Sequence, residues 1–188
     1  MSLPWWVQFL REIFLGAMTK EELHRNLNGS VVGDAALTMA LDSTLYSADA
    51  EEASKRAGIV QFCRMQLGDK YKLGVEVSKS GESTEWDCSE LVELAYLQYD
   101  MDMPDGSNFQ YDHCQPVPSG KQGDLHFLWS DKWNRIGHVM VDTGAGTVIH
   151  AKGGVGVVEE NLSDYLAHPR YRGCRRHPDF ARAKNERA

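Results

Sequence analysis

Apolar and polar residues recur along this chain with two different periods, and the change falls near Gly123. Before Gly123, apolar residues repeat every three or four positions, as on one face of an α-helix. After it, short runs rich in β-branched residues are separated by glycine turns, which is typical of antiparallel strands. Helices followed by strands predict an α+β domain.

Before the Cys88 region, three helices are predicted. Near the N-terminus, an apolar stripe at helical spacing consists of Trp5, Trp6, Phe9, Leu10, Ile13 and Phe14. A second helix is predicted over residues 50–67, with Gly68 as its stop and an apolar side made of Ala53, Ala57, Ile59, Val60, Cys63 and Leu67. Residues 19–27 form a weaker candidate that begins with a capping box.

The Cys88 region predicts a further helix, running to about Asp100 and followed by a loop over residues 104–120. Strands are then predicted over residues 125–129, 137–141, 147–151, 155–159 and 171–175, with a short helix near 162–166. We therefore expect three parts: a helical extension over 1–49, a domain over 50–180 and a frayed tail over 181–188.

Composition excludes several classes of protein. The 188 residues carry a net charge of −7, which argues against a nucleic-acid partner. Four cysteines are scattered without a CxxC pair, so neither a zinc knuckle nor a disulfide scaffold is indicated. The most apolar N-terminal run, residues 3–18, contains Arg11 and Glu12 and is too short to span a bilayer. No basic region precedes it, so we expect synthesis in the cytoplasm without a signal peptide.

Residues 85–92 (EWDCSELV) are a helix start that carries a thiol. Asp87 is the predicted N-cap, and Glu90 three positions later completes a predicted capping box. Cys88 then lies in the first turn, where the helix dipole favours a thiolate. The plainer interpretation is a small buried residue that begins a core helix.

Two histidines on neighbouring predicted strands change that balance. If the hairpin turn centres on Gly144, His138 and His150 lie opposite each other or one register step apart, on the same face. One imidazole can then take the thiol proton while the other orients it. His113, His126 and Cys114 show no metal-ligand spacing, and no metal or other cofactor is expected.

Four motifs in order resemble the NlpC-type cell-wall peptidases, which are papain-like cysteine peptidases of bacteria and phages. The motifs are WDCS with LV at 86–92, GDL at 123–125, GHV at 137–139 and VIHA at 148–151, and the resemblance covers about residues 50–176. It implies a papain-like fold in which the helix bearing the nucleophile packs on an antiparallel sheet. The N-terminal helical extension is additional to that domain.

The resemblance also implies roles for individual residues. Cys88 is the expected nucleophile, His138 the base and His150 the residue that orients the base. Tyr71, in a Tyr-x-x-Gly turn, is expected at the oxyanion and substrate site together with Cys88 and Ser89. One departure is Glu90, which stands where the family usually has glycine and can weaken the nucleophile. The loop between Gly74 and Trp86 is also longer than the common pattern.

The implied reaction is hydrolysis of peptidoglycan stem peptides next to D-γ-glutamyl, before a diamino acid. Delivery to the cell wall as a phage or prophage tail part, or as a lysis component, fits an enzyme made without a signal peptide. The N-terminal stripe is the expected docking element for phage tail proteins. Two alternatives stay open: an amidase or acyltransferase with the same three residues, and a catalytically silent structural component of a tail or wall complex.

Overall fold

The computed structural model describes the backbone of residues 31–180 and the side chains of residues 48–180. Contacts within the chain divide it into two units, with the boundary between Glu51 and Glu52. The predicted N-terminal stripe, the weaker helix at 19–27 and the tail at 181–188 lie outside the described residues. The predicted three-part division of the chain stays a prediction.

Helix α1 spans Val31–Met65, so it begins well before the predicted residue 50. Gly68 follows it with a φ of +92°, a conformation that favours glycine and stops a helix. The predicted apolar side was partly wrong, since Ala53, Ala57 and Leu67 are exposed. The buried face is instead Arg56, Ile59, Val60 and Cys63, which follow the i, i+3, i+4, i+7 spacing of a single helix face.

Two short strands follow α1 and bring the chain to the Cys88 helix. Strand β1 (Lys70–Tyr71) pairs in parallel with β2 (Glu85–Trp86). The long loop between them therefore joins the end of β1 to the start of the neighbouring strand. Helix α2 then spans Cys88–Leu97, three residues shorter than predicted. This pairing was not predicted, because two-residue strands carry no periodic signal.

The predicted loop at 104–120 was wrong. It contains helix α3 (Ser107–His113) and strand β3 (Gln115–Val117). Helix α3 is less than two turns long and is too short to be stable by itself. Gln110 in α3 is fully buried and donates from Nε2 to the carbonyl oxygen of Ser89 at 2.9 Å, so tertiary contacts stabilise this helix.

The main sheet has six antiparallel strands in the order β3-β8-β4-β5-β6-β7. Its remaining members are β4 (Leu125–Ser130), β5 (Arg135–Asp142), β6 (Thr147–Lys152), β7 (Gly156–Asn161) and β8 (Tyr171–Arg176). Helix α4 (Ser163–Leu166) connects β7 to β8. All five predicted strands are confirmed within one or two residues, because short runs rich in β-branched residues between glycine turns favour strands.

Helix α2 lies on the sheet and contributes much of the core. Its buried apolar residues include Leu91, Val92 and Ala95, and it contacts β5 and β6. From those two strands, Val139 and Ile149 point into the same core. The predicted α+β fold, with a helix packed on an antiparallel sheet, is confirmed.

A buried ion network ties α1 to the sheet. Asp124, at the start of β4, is fully buried and accepts hydrogen bonds from Arg56 at 2.9 Å and from Arg176 at 2.7 Å. Two buried guanidinium groups therefore share one buried carboxylate. None of the helices in residues 31–180 combines the length and the hydropathy of a transmembrane segment.

Candidate active site

Asp87 caps helix α2, as predicted. Its Oδ1 accepts from the backbone N–H groups of Ser89 at 3.0 Å and Glu90 at 2.9 Å, and its Oδ2 accepts from the Gly74 N–H at 2.9 Å. The predicted capping box was wrong, because Glu90 Oε1 accepts from the Val77 N–H at 2.6 Å instead of reaching back. Both carboxylates thus hold the loop after β1 against the start of α2.

Cys88 is the first residue of α2, and 7% of its surface is exposed. Its sulfur lies close to the backbone N–H of Val139 on β5, the residue that follows His138. Burial, and then the charge of Asp87, raise the pKa of Cys88 to about 12, although the N–H groups of Val139 and Ser89 act to lower it. The helix start alone therefore does not produce a thiolate at neutral pH, and the thiol needs a base.

His138 and His150 meet through their rings. The distance from His138 Nε2 to His150 Nδ1 is 2.7 Å, and the rings are nearly perpendicular. The register pairs Val141 with Ile149, which places His138 two residues from the position directly opposite His150. They are thus diagonal neighbours on one face, a spacing that aromatic side chains can span.

Both imidazoles are neutral at neutral pH. Burial lowers the pKa of His138 to about 3, and His150 and Lys152 act in the same direction. Burial also lowers the pKa of His150, although the hydrogen bond to Glu160 and the negative charge of Glu160 act to raise it. The resting state therefore has a neutral thiol at Cys88 and neutral imidazoles at His138 and His150.

A carboxylate that the sequence reasoning missed lies behind His150. Glu160 Oε2 is 3.0 Å from His150 Nε2 and also accepts from the Tyr165 hydroxyl, and Lys152 Nζ donates to both Glu160 oxygens at 2.8 and 2.9 Å. The predicted strand ended at residue 159, one position short of Glu160. The alternation of faces along paired strands was the signal available, since residues 150, 152, 158 and 160 share a face.

Tyr71 lies at the Cys88 end of α2. Pairing of β1 with β2 sets Tyr71 beside Trp86, and burial and then the charges of Cys88 and Asp87 raise the pKa of Tyr71 to about 12. The hydroxyl of Ser89 donates to Asp87 Oδ1 at 2.9 Å, so it takes part in the helix cap. The roles of Tyr71 and Ser89 in substrate binding stay predictions, as do those of Cys88, His138 and His150 in catalysis.

Three further histidines of the described residues, His113, His126 and His177, have partners of their own. His126 bridges Asp142 at 2.9 Å and the Tyr171 hydroxyl at 2.7 Å, and His113 lies 3.4 Å from His177 between ring nitrogens. Among the described side chains, ligand atoms suited to a cation come within 4.8 Å of one another in one acidic group: Glu90, Glu93 and Asp105. Burial and neighbouring carboxylates raise the pKa of Glu90 to about 7.

Taken together, the geometry supplies the parts of a thiol-based acyl transfer. A sulfur at a helix start lies next to a strand that carries one imidazole, and a second imidazole and a carboxylate continue the hydrogen-bonded chain. A base with a free ring nitrogen can take the thiol proton, and the second imidazole and the carboxylate can fix the orientation of that base.

Solved structures similar to this chain carry the same fold. NlpC1 from Trichomonas vaginalis is 25% identical with a TM-score of 0.55, over 66% of this chain and 44% of that one. An NlpC/P60 family protein from Bacillus cereus is also 25% identical, with a TM-score of 0.54, over 65% and 40%. This chain therefore spans less than half of the length of either protein.

A shorter solved structure matches along nearly its whole length. The NlpC/p60 domain of the peptidoglycan hydrolase SagA is 25% identical with a TM-score of 0.51, over 64% of this chain and 97% of that one.

No curated protein sequence matches. The NlpC/P60 family model matches residues 68–176, which is more than half of the chain and includes α2 and the six-stranded sheet. The chain belongs to the NlpC/P60 family.

Proposed function

We propose that this protein is a cysteine peptidase that hydrolyses the stem peptides of peptidoglycan. The observation that carries the proposal is the position of Cys88, at a capped helix start against β5, the strand on which His138 lies and from which its ring reaches His150. Membership of the NlpC/P60 family supports it, as does the likeness to SagA, a peptidoglycan hydrolase.

In the proposed mechanism, His138 takes the Cys88 proton as the sulfur attacks the peptide carbonyl carbon. The new C–S bond gives a tetrahedral oxyanion, which backbone N–H of Cys88 and the Tyr71 hydroxyl stabilise. His138 then gives its proton to the leaving amine as the C–N bond breaks. Water, deprotonated by His138, attacks the thioester and releases the acid and the thiol.

The neutral states of the Cys88 thiol and the His138 imidazole agree with this order of events. Because the pKa of Cys88 is raised and that of His138 is lowered, proton transfer occurs together with attack on a bound carbonyl and not before it. A thiol that stays protonated is also less open to oxidation, since the thiolate is the reactive form. Substrate binding, which displaces water from the site, is then the event that starts the chemistry.

The proposed bond is that between D-γ-glutamyl and the diamino acid, by resemblance to the family. An amidase that cuts the sugar–peptide link uses the same residues and would release different fragments. Delivery by a phage tail or lysis system, with action at the cell wall, stays a proposal that rests on the sequence.

Digestion of purified sacculi by the full chain, with mass spectrometry of the soluble fragments, tests the proposal. The wild-type protein is expected to release peptides that end in D-γ-glutamate, and Cys88→Ala is expected to release none. Cys174→Ala is a matched control, because Cys174 has the same 7% exposure and lies on β8, away from the His138–His150 pair. Equal release by wild type and Cys88→Ala would remove the assignment of Cys88, and no release by the wild type would favour a structural component.

A further inference from the structure

We propose that Glu160 is a positioning residue that fixes the tautomers of His150 and His138, and leaves His138 Nδ1 as the nitrogen that takes the Cys88 proton. Only the last step rests on the proposed function. The tautomers follow from hydrogen bonds in the resting protein and hold whether or not the protein cuts peptidoglycan.

Glu160 Oε2 is the point on which three donors converge. His150 Nε2 lies at 3.0 Å, Lys152 Nζ at 2.9 Å, and the Tyr165 hydroxyl donates to the same oxygen. Although burial acts to raise it, hydrogen bonds from Lys152, Tyr165 and His150 lower the pKa of Glu160 to about 2. Glu160 is therefore ionised at neutral pH and can only accept.

Counting protons along the chain of hydrogen bonds then leaves one arrangement. The Tyr165 hydroxyl oxygen also lies 3.2 Å from His150 Nε2, but its single proton is given to Glu160, so the hydrogen between Glu160 and His150 belongs to His150 Nε2. A neutral His150 with a proton on Nε2 has a bare Nδ1. The hydrogen in the 2.7 Å contact between the rings must therefore come from His138 Nε2, and His138 Nδ1 carries the free lone pair.

Strand geometry explains why Glu160 and not its neighbour occupies this place. His150 pairs with Val158 and Val148 pairs with Glu160, so His150 and Glu160 share a face as diagonal neighbours. Glu159 points to the other side of β7, where it accepts from Thr147 Oγ1 at 2.6 Å and from Arg64 at 3.3 Å. Glu159 is thus a carboxylate one residue away that cannot reach His150.

Glu160 also bears on the charge that develops when His138 takes a proton. The negative charge of Glu160 acts to raise the pKa of His138, whereas Lys152 acts to lower it. Loss of Glu160 would remove the acceptor that orients His150 and leave Lys152 unopposed near the imidazolium. General acid–base catalysis contributes about 10²- to 10⁴-fold, so we expect Glu160→Leu to lower kcat by about 10- to 100-fold.

The direct test is the protonation state of each ring nitrogen, read by long-range 1H–15N NMR on the full chain labelled at histidine. In the wild type at pH 7, His138 and His150 are both expected to carry their proton on Nε2. In Glu160→Leu, His150 is expected to show a mixture of tautomers. Glu160→Gln is expected to keep the wild-type pattern, because the amide oxygen would take the Oε2 position, where three donors meet.

Kinetics on a defined stem peptide give the second readout. Glu160→Leu is expected to lower kcat with KM unchanged within about twofold, since Glu160 lies behind His150 and away from the thiol, and Glu160→Gln is expected to recover most of the rate. Glu159→Leu and Glu159→Gln are the matched controls and are expected to match the wild type. Circular dichroism checks that each variant is folded.

Two results would overturn the proposal. The first is a wild-type spectrum in which either ring carries its proton on Nδ1. This measurement requires neither a variant nor an active enzyme. The second is a folded Glu160→Leu protein with wild-type tautomers, whatever its rate, because Glu160 would then act only structurally. If the wild type shows the expected tautomers but cuts no peptidoglycan, the proposed function fails and the positioning role of Glu160 stands.

Discussion

Replacing Asp124 by asparagine tests the buried ion network that joins α1 to the sheet. Asp124 is fully buried, and its oxygens accept from Arg56 at 2.9 Å, from Arg176 at 2.7 Å and from the Lys121 N–H at 2.9 Å. Asparagine has nearly the same shape but only one acceptor oxygen and no charge. Arg56 and Arg176, which are only 5% and 7% exposed, would then share a neutral amide, and of the two Arg56 keeps an ion pair with Glu52.

The expected loss of stability is large. Removing one partner of a buried ion pair costs about 3–5 kcal/mol, because the remaining charge is left without compensation. The free energy of unfolding of a domain is about 5–15 kcal/mol, so the loss is a substantial fraction of the total. For a domain of this size, 1 kcal/mol corresponds to about 3–4 °C, and we expect Tm to fall by about 10–20 °C.

Urea unfolding followed by tryptophan fluorescence measures this loss, since Trp86 is fully buried and reports on the core. Asp131→Asn is the matched control, because Asp131 pairs with Arg170 at 2.5 Å in an exposed ion pair, worth about 0–1 kcal/mol. A variant that combines Asp124→Asn with Arg176→Met is expected to regain part of the loss, since Arg176 binds the Asp124 carboxylate whereas Arg56 keeps an ion pair with Glu52 at 2.7 Å. Equal urea midpoints for Asp124→Asn and Asp131→Asn would refute the reasoning.

Two further predictions concern the helix that starts at Cys88. Because the pKa of Cys88 is about 12, the rate of its alkylation by iodoacetamide is expected to rise about tenfold per pH unit from pH 7 to 9. Peptide mass spectrometry measures this rate. A plateau below pH 8 would indicate a thiolate–imidazolium pair instead. Burial and nearby carboxylates raise the pKa of Glu90 to about 7, so the folded state binds this proton more tightly than the unfolded state does and stability falls as pH rises through 7. Glu90→Gln keeps an acceptor for the Val77 N–H. Urea unfolding measures the free energy of unfolding of this variant relative to wild type, and we expect that difference to increase between pH 5 and pH 8 by on the order of 2 kcal/mol. A difference that does not change with pH would contradict the raised pKa of Glu90.

Local signals in the sequence were enough for the helix start and for the strands. Asp87 caps α2 through contacts with residues two and three positions away, and such contacts depend on neighbours in the chain alone. The strands β4 to β8 follow short apolar runs separated by glycine turns, which is an equally local signal. The face that carries His138 and His150 was therefore predictable from their spacing around the turn.

What depends on distant parts of the chain was decided by the tertiary structure. The sequence does not reveal that Glu90 turns to the Val77 N–H, or that helix α3 forms because Gln110 reaches Ser89. The diagonal offset of His138 from His150 needed the actual register of β5 with β6. Glu160 needed in addition the pairing of β6 with β7, which brings its carboxylate to His150. Hydrogen bonds and packing between residues far apart in sequence are set by how the elements assemble, and no local pattern records that assembly.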